Sequence, residues 1–157
     1  MLIDTLTYRT IELPRDAALA FASHRDACRM SFGEAFEQHL SSRGAYLRWL
    51  AARLEEYPEG HLLAFSGTQC VGQLELQVPY GLTFGYVNLF YVTPPFRRQG
   101  YGRVLNERAE RYFRSWEARR IELHVSSRNP GAIAFYEAVG YEVMRREGSM
   151  LRMVKDL

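Results

Sequence analysis

Val92-Thr93-Pro94-Pro95-Phe96-Arg97-Arg98-Gln99-Gly100-Tyr101-Gly102 separates two segments of opposite character. Before it, Tyr86 to Val92 is a short apolar run of strand type. After it, from Arg103, apolar residues return at helical spacing. Glycines at 100 and 102 let the chain turn tightly and bring backbone close to a ligand. The helix that follows offers unpaired N–H groups and about half a positive charge at its start. A strand, a glycine turn flanked by arginines and a helix N-terminus together form a cradle for pyrophosphate. The stretch therefore points to a protein that holds a phosphorylated cofactor. Two other phosphate motifs are excluded. A P-loop needs Lys-Ser or Lys-Thr after its last glycine, and Arg103-Val104 follow here; a dinucleotide fingerprint needs Gly or Ala where Leu105 stands.

Further along the chain a second ordered segment appears, Asn129-Pro130-Gly131-Ala132-Ile133-Ala134-Phe135-Tyr136-Glu137-Ala138-Val139-Gly140-Tyr141. Asn129 is a good N-cap, Pro130 a good first helical residue and Gly140 a good helix stop. Ala132, Phe135, Tyr136 and Val139 share one face. With Val92-x-Pro94-x-x-Arg97-x-x-Gly100-x-Gly102 in front of it, this order resembles the acetyl-CoA signature of the GCN5-related N-acetyltransferase (GNAT) family. The likeness covers roughly Tyr86 to Leu157 well and the first 60 residues loosely.

The resemblance implies an α/β fold, a mixed and mainly antiparallel central sheet flanked by helices and splayed at the central strand. It also implies one N-acetyltransferase domain over residues 1–157. The elements read from the residues agree with that plan. Thr5 to Leu13 reads as a strand and Asp16 onward as a helix, with Leu19, Ala22 and Ala27 on an apolar stripe. Ser42 to Tyr57 reads as a second helix, placing Tyr46, Trp49, Leu50 and Leu54 inward, and Pro58-Glu59-Gly60 ends it. His61 to Ser66 and Cys70 to Val78 form a hairpin. Pro79 to Thr83 is then a mobile connection at the mouth of the site. The long helix repeats Tyr101, Leu105, Ala109, Tyr112 and Trp116, Ile121 to Val125 is a short buried strand, and Tyr141 to Arg146 with Met150 to Val154 closes the chain as a hairpin.

Composition narrows the function classes. The chain has 157 residues, 47% hydrophobic and 24% charged, which suits a soluble globular protein. A net charge of +2 is too small to indicate nucleic-acid binding, and aromatics are not interleaved with the arginines as a stacking platform requires. Cys28 and Cys70 stand far apart without a CxxC motif, so they read as reduced, buried and structural, with no metal site. No apolar stretch reaches the ~18 residues that span a bilayer, and Met1-Leu2-Ile3-Asp4-Thr5 lacks a secretory layout. A cytoplasmic protein without nucleic-acid or membrane partners is expected, and a homodimer is compatible with the reading.

The resemblance also distributes roles. Acetyl-CoA is the implied acyl donor and a small-molecule or peptide amine the implied acceptor; a catalytically weak acyl-CoA sensor is the alternative. Backbone N–H groups of Gln99, Gly100, Tyr101, Gly102 and Arg103 would hold the pyrophosphate, and Arg97 and Arg98 would add charge-assisted contacts. Phe90, Tyr91 and Val92 would pair through their backbone with the pantetheine amides, and Asn129 and Phe135 would line that arm. Tyr136 would protonate the leaving thiolate: a phenol of pKa ~10 facing a thiolate near ~8.5 makes a balanced transfer.

At the base the chain departs from the family pattern: Asn88 stands where many members carry Glu, and an amide cannot accept the proton. A lysine-like amine costs ~4.6 kcal/mol to deprotonate at pH 7, an α-amine only about 1 kcal/mol. Either the acceptor carries a less basic amine, or another group takes the proton: Glu75 on the neighbouring strand, or His124, directly or through water.

Overall fold

The computed structural model describes residues 5–157, so Met1 to Asp4, and with them most of the segment that lacks a secretory layout, lie outside the described residues. The chain runs β1 (Thr7–Thr10), α1 (Ala17–Phe32), a 3₁₀ segment (Gly33–Gln38), α2 (Arg43–Glu56) and β2 (His61–Ser66). It continues through β3 (Gln69–Gln77), β4 (Phe84–Val92), α3 (Tyr101–Ser115), β5 (Arg120–Ser126), α4 (Pro130–Ala138), β6 (Glu142–Glu147) and β7 (Met150–Asp156). The strands form one seven-stranded sheet in the order β1-β2-β3-β4-β5-β7-β6. Only β4 and β5 pair in parallel, joined by α3 as a crossover, and every other neighbour is antiparallel. The fold is the mixed, mainly antiparallel sheet expected, with β4 at its centre.

Two apolar clusters hold helices on the sheet. Leu105, Ala109 and Phe113 of α3 pack with Leu74, Leu76, Val87, Leu123 and Met153. Ala20 of α1 and Tyr46 and Leu50 of α2 pack with Ile11 and Leu63. Ser42 caps α2 by accepting from the Ala45 N–H at 3.1 Å. Among the described residues no helix is long and apolar enough to cross a membrane.

Four expectations need correction. The inward face of α1 is Ala17, Ala20 and Ser23, whereas Leu19 and Ala22 are exposed. A helix rich in alanine on all sides has no apolar stripe sharp enough to read. Trp116, at the end of α3, stands half exposed and lays its ring against Tyr57 and Tyr112. Cys28 and Cys70 are free thiols that are half-buried, not buried. Finally, Pro79 to Thr83 precedes β4, so it lies at the far end of that strand from Val92, and none of its residues lines the cleft described below.

Candidate active site

The site begins as a gap in the sheet. β4 and β5 pair only where Phe84 to Val87 face Arg120 to Leu123, although both strands continue beyond. On its other edge β4 carries a bulge. Glu75 faces Leu89 and Leu76 faces Val87, which leaves Asn88 unmatched at the point of separation. Side chains alternate across a strand, and the contacts show to which side each points. The Tyr91 hydroxyl donates to Asp26 Oδ2 of α1 at 2.6 Å, whereas the Phe90 ring meets Phe135 and Tyr136 of α4 at centroid distances of 5.4 and 6.1 Å. Helices α1 and α4 therefore cover opposite faces, and a cleft of about 920 Å³ lined by both runs through the gap.

On the α4 side the glycine turn caps α3. Gly100 is the N-cap in the left-handed region at φ 90°, and Arg98, which has a side chain, is also left-handed at φ 62°. Such a conformation at a bulky residue is strained and marks functional loops. Gly102 matters for another reason. A Cβ there would stand 2.9 Å from the Phe135 ring, so the missing side chain lets α4 close on the first turn of α3.

Arg98, Gly100, Gly102 and Arg103 line the cleft, and neither arginine is held in an ion pair among the described residues. Gln99 and Tyr101 do not line it: the Gln99 amide donates to Pro95 O at 2.8 Å, and Tyr101 is buried against Phe96. Arg97 lines the cleft with its charge already partnered. Its Nε donates to Val92 O at 2.8 Å and a terminal nitrogen to Asp26 at 2.9 Å, stapling the end of β4 to α1.

Asn129, Phe135 and Tyr136 line the same side. The Asn129 side chain accepts from the Ala132 N–H at 3.2 Å, so it caps α4 as its sequence position suggested. Burial raises the Tyr136 phenol above its ordinary range, which keeps it protonated at neutral pH.

Across the sheet, α1 presents His24, Cys28, Ser31 and Phe32 to the cleft, and His39 joins them after the 3₁₀ segment. Only their helical spacing could have flagged them, and the stripe read for α1 chose another face. His124 also lines the cleft. Its Nε2 bonds the Glu147 carboxylate and its Nδ1 lies 2.6 Å from the Tyr86 hydroxyl. That bond helps hold Glu147 below the usual carboxylate range. A carboxylate can only accept, so Nε2 carries the hydrogen and a neutral ring accepts from Tyr86 at Nδ1.

Glu75 is placed differently. It is 2% exposed, does not line the cleft, and accepts from the Tyr46 hydroxyl at 2.6 Å and the Gln73 amide at 2.9 Å. Burial pushes its carboxyl up to about 7 against the pull of those two bonds. Its connection to the cleft is indirect, since the Tyr46 ring stacks on His24 at 4.3 Å. Among the described residues no group of three His, Cys, Asp or Glu could hold a metal ion.

Comparison with known proteins agrees with this architecture. The model of the Acetyltransferase (GNAT) family matches residues 18–141. An uncharacterized N-acetyltransferase of Methanocaldococcus jannaschii is 30% identical over 117 residues, which cover 70% of this chain and 50% of that protein. The chain thus spans about half the length of that relative. Among solved structures, PaiA N-acetyltransferase from Thermoplasma acidophilum in complex with coenzyme A superposes with a TM-score of 0.76 at 18% identity, covering 98% of this chain and 99% of that one. An acetyltransferase from Thermus thermophilus gives 0.75 at 24% identity over the full length of both. Spermidine N-acetyltransferase from Vibrio cholerae, in complex with CoA and spermine, gives 0.73 at 19% identity, covering 95% and 94%.

Proposed function

Because the chain belongs to the GNAT acetyltransferase family, we propose that it moves the acetyl group of acetyl-CoA onto a primary amine, acting as one domain. One observation carries the reading: the gap between β4 and β5 opens toward the glycine turn of α3 and Tyr136 on one face and toward α1 and His124 on the other. Donor and acceptor can then approach from opposite sides of the sheet and meet beside Asn88.

The first N–H groups of α3, with Arg98 and Arg103, bind the pyrophosphate and the remaining phosphate charge. Backbone groups of β4 beyond Val87, unpaired toward β5, hold the amides of the pantetheine arm and polarise the thioester carbonyl. Asn129 and Phe135 wall the arm. Tyr136 gives its proton to the departing sulfur. The amine proton passes through water to the Tyr86 hydroxyl, which hands its own proton to His124 Nδ1, and Glu147 stabilises the imidazolium that forms. Glu75, sealed beneath Tyr46, supports His24 through the stacked ring and takes part in proton transfer only if Tyr46 relays it. A pure acyl-CoA sensor would need neither Tyr136 nor the histidine in the gap.

Thiol release from acetyl-CoA, followed against a panel of amines, tests the proposal. Tyr136→Phe should lower kcat by ~10²–10⁴-fold, the usual worth of a general acid, while the Kd for CoA stays within about twofold. Failure of the chain to bind CoA would reject the function, and an unchanged kcat with chemistry rate-limiting would reduce Tyr136 to packing.

A further inference from the structure

The acceptor half of the cleft has a chemistry of its own. His24, Cys28, Ser31 and Phe32 follow one another at i, i+4, i+7 and i+8, so α1 turns one continuous face to the gap. The chain then reverses at Gly33 and runs through the 3₁₀ segment, which the Cys28 thiol ties back by donating to Phe36 O at 3.5 Å. This return lays the His39 ring on Phe32, with centroids 4.0 Å apart and planes 15° from parallel. The result is a flat aromatic platform on the cleft wall, and Met30, 43% exposed, lines the same cleft.

The charge of the cleft lining is equally specific. Among the described residues, no Asp or Glu lines the cleft, whereas Arg97, Arg98 and Arg103 do. Outside that lining, Glu34 and Glu37 of the 3₁₀ segment stand exposed to water, and Asp26 and Glu147 are already partnered. Asp26 sits between Arg29 at 2.5 Å and Arg97 at 2.9 Å. Glu147 bonds His124 and Arg145 and has Arg152 at 3.7 Å. An acceptor with a second ammonium group would bring that charge into a lined space with no free carboxylate to meet it. Burying an unpaired charge is among the costliest changes a site can undergo. An aromatic or aliphatic body, by contrast, gains offset stacking and burial on Phe32 and His39.

Resting on the acetyl-transfer reading above, we propose that the acceptor is a primary monoamine carried on an uncharged aromatic or aliphatic body seated on the Phe32–His39 stack. Its single amine points at the gap beside Asn88 and His124, and Met30 and Phe32 set the selectivity against polycations.

The test compares kcat/KM, with saturating acetyl-CoA, for 2-phenylethylamine, hexylamine, a C-terminally amidated Phe-Ala-Ala peptide and spermidine. The first two should exceed spermidine by at least about tenfold. The peptide carries the same amine beside the same apolar group, so its rank says whether the platform reads small amines or chain termini; either standing ahead of spermidine supports the inference. Phe32→Ala should raise KM for 2-phenylethylamine about tenfold with a smaller change in kcat. Met30→Glu, at a half-exposed position that tolerates charge, should raise kcat/KM for spermidine and narrow the preference at least fivefold. Spermidine used as well as, or better than, 2-phenylethylamine by the unmodified chain would overturn the acceptor class and leave acetyl transfer standing. A Phe32→Ala variant that binds CoA with unchanged KM for the monoamine would overturn the platform. No transfer to any of the four amines by a chain that binds CoA would overturn this acceptor class and leave acetyl transfer standing, whereas a chain that does not bind CoA would overturn both.

Discussion

Glu75 carries its carboxyl inside the protein, with no cation paired to it among the described residues. Its two hydrogen bonds converge on a single oxygen, from Tyr46 and from Gln73. In the β2/β3 register it faces His61, whose Nδ1 donates to Tyr57 O while Nε2 has no hydrogen-bond partner. Burial raises the carboxyl from its ordinary 4.5 to about 7. The folded state therefore keeps a proton that the unfolded chain has released over that interval. The stability this represents is fully present below pH 4.5 and is lost as pH rises through 7. At 1.36 kcal/mol per pH unit the loss comes to about 3 kcal/mol. Glu75→Gln preserves an oxygen for both donors and removes the titration. Urea unfolding at pH 4.5, 6 and 8 should show the variant gaining on the parent as pH rises, by up to about 3 kcal/mol at pH 8. A difference that does not change with pH would mean that Glu75 is ionised throughout.

Among the elements, the contact between α3 and α4 depends on one missing side chain. The modest length of α4, nine residues, is secured by the Asn129 cap and by Gly140 just past its end. That placement puts the Phe135 ring where a Cβ on residue 102 would stand, 2.9 Å from one ring carbon and 3.1 Å from the next. Gly102→Ala must displace the ring, at an overpacking cost of ~1–3 kcal/mol, and the first turn of α3 and the Phe135 wall of the cleft shift together. CoA affinity and melting temperature should both fall. Gly102→Ala with Phe135→Leu should recover most of the melting temperature and part of the affinity, because the clashing ring is gone. If the double variant recovers nothing, the added methyl acts on the cofactor itself and not through Phe135.

At the scale of the whole molecule, the gap between β4 and β5 leaves strand backbone without a partner in the middle of a sheet, a position where pairing is otherwise nearly universal. CoA should supply the missing bonds. Amide exchange of residues 88–92 is expected to slow on adding CoA, along with the first turn of α3, while the amides of β2 and β7 remain as they were. Protection of α3 alone would mean that the pantetheine arm stays outside the gap.

What could be read from the chain alone was local. The glycine turn, the caps of α2 and α4 and the period-2 and period-3.6 patterns each depend on residues within one turn or one strand of each other, where backbone sterics and capping bonds decide the outcome. Sequence determined in this way the order of elements, the glycine turn at Gly100 and the cap at Asn129. Tertiary packing decided the rest. The inward face of α1 was set by Tyr91 meeting Asp26, 65 residues earlier, a pairing that no short-range pattern contains. Glu75 and Gln73 became buried because α2 lays Tyr46 over them, and a strand's alternation alone does not say which face a helix will cover. The burial and partners of Arg97, Glu75 and His124 belong to that long-range order. Electrostatic environment is set by what surrounds a group in space, and the sequence lists only what precedes and follows it.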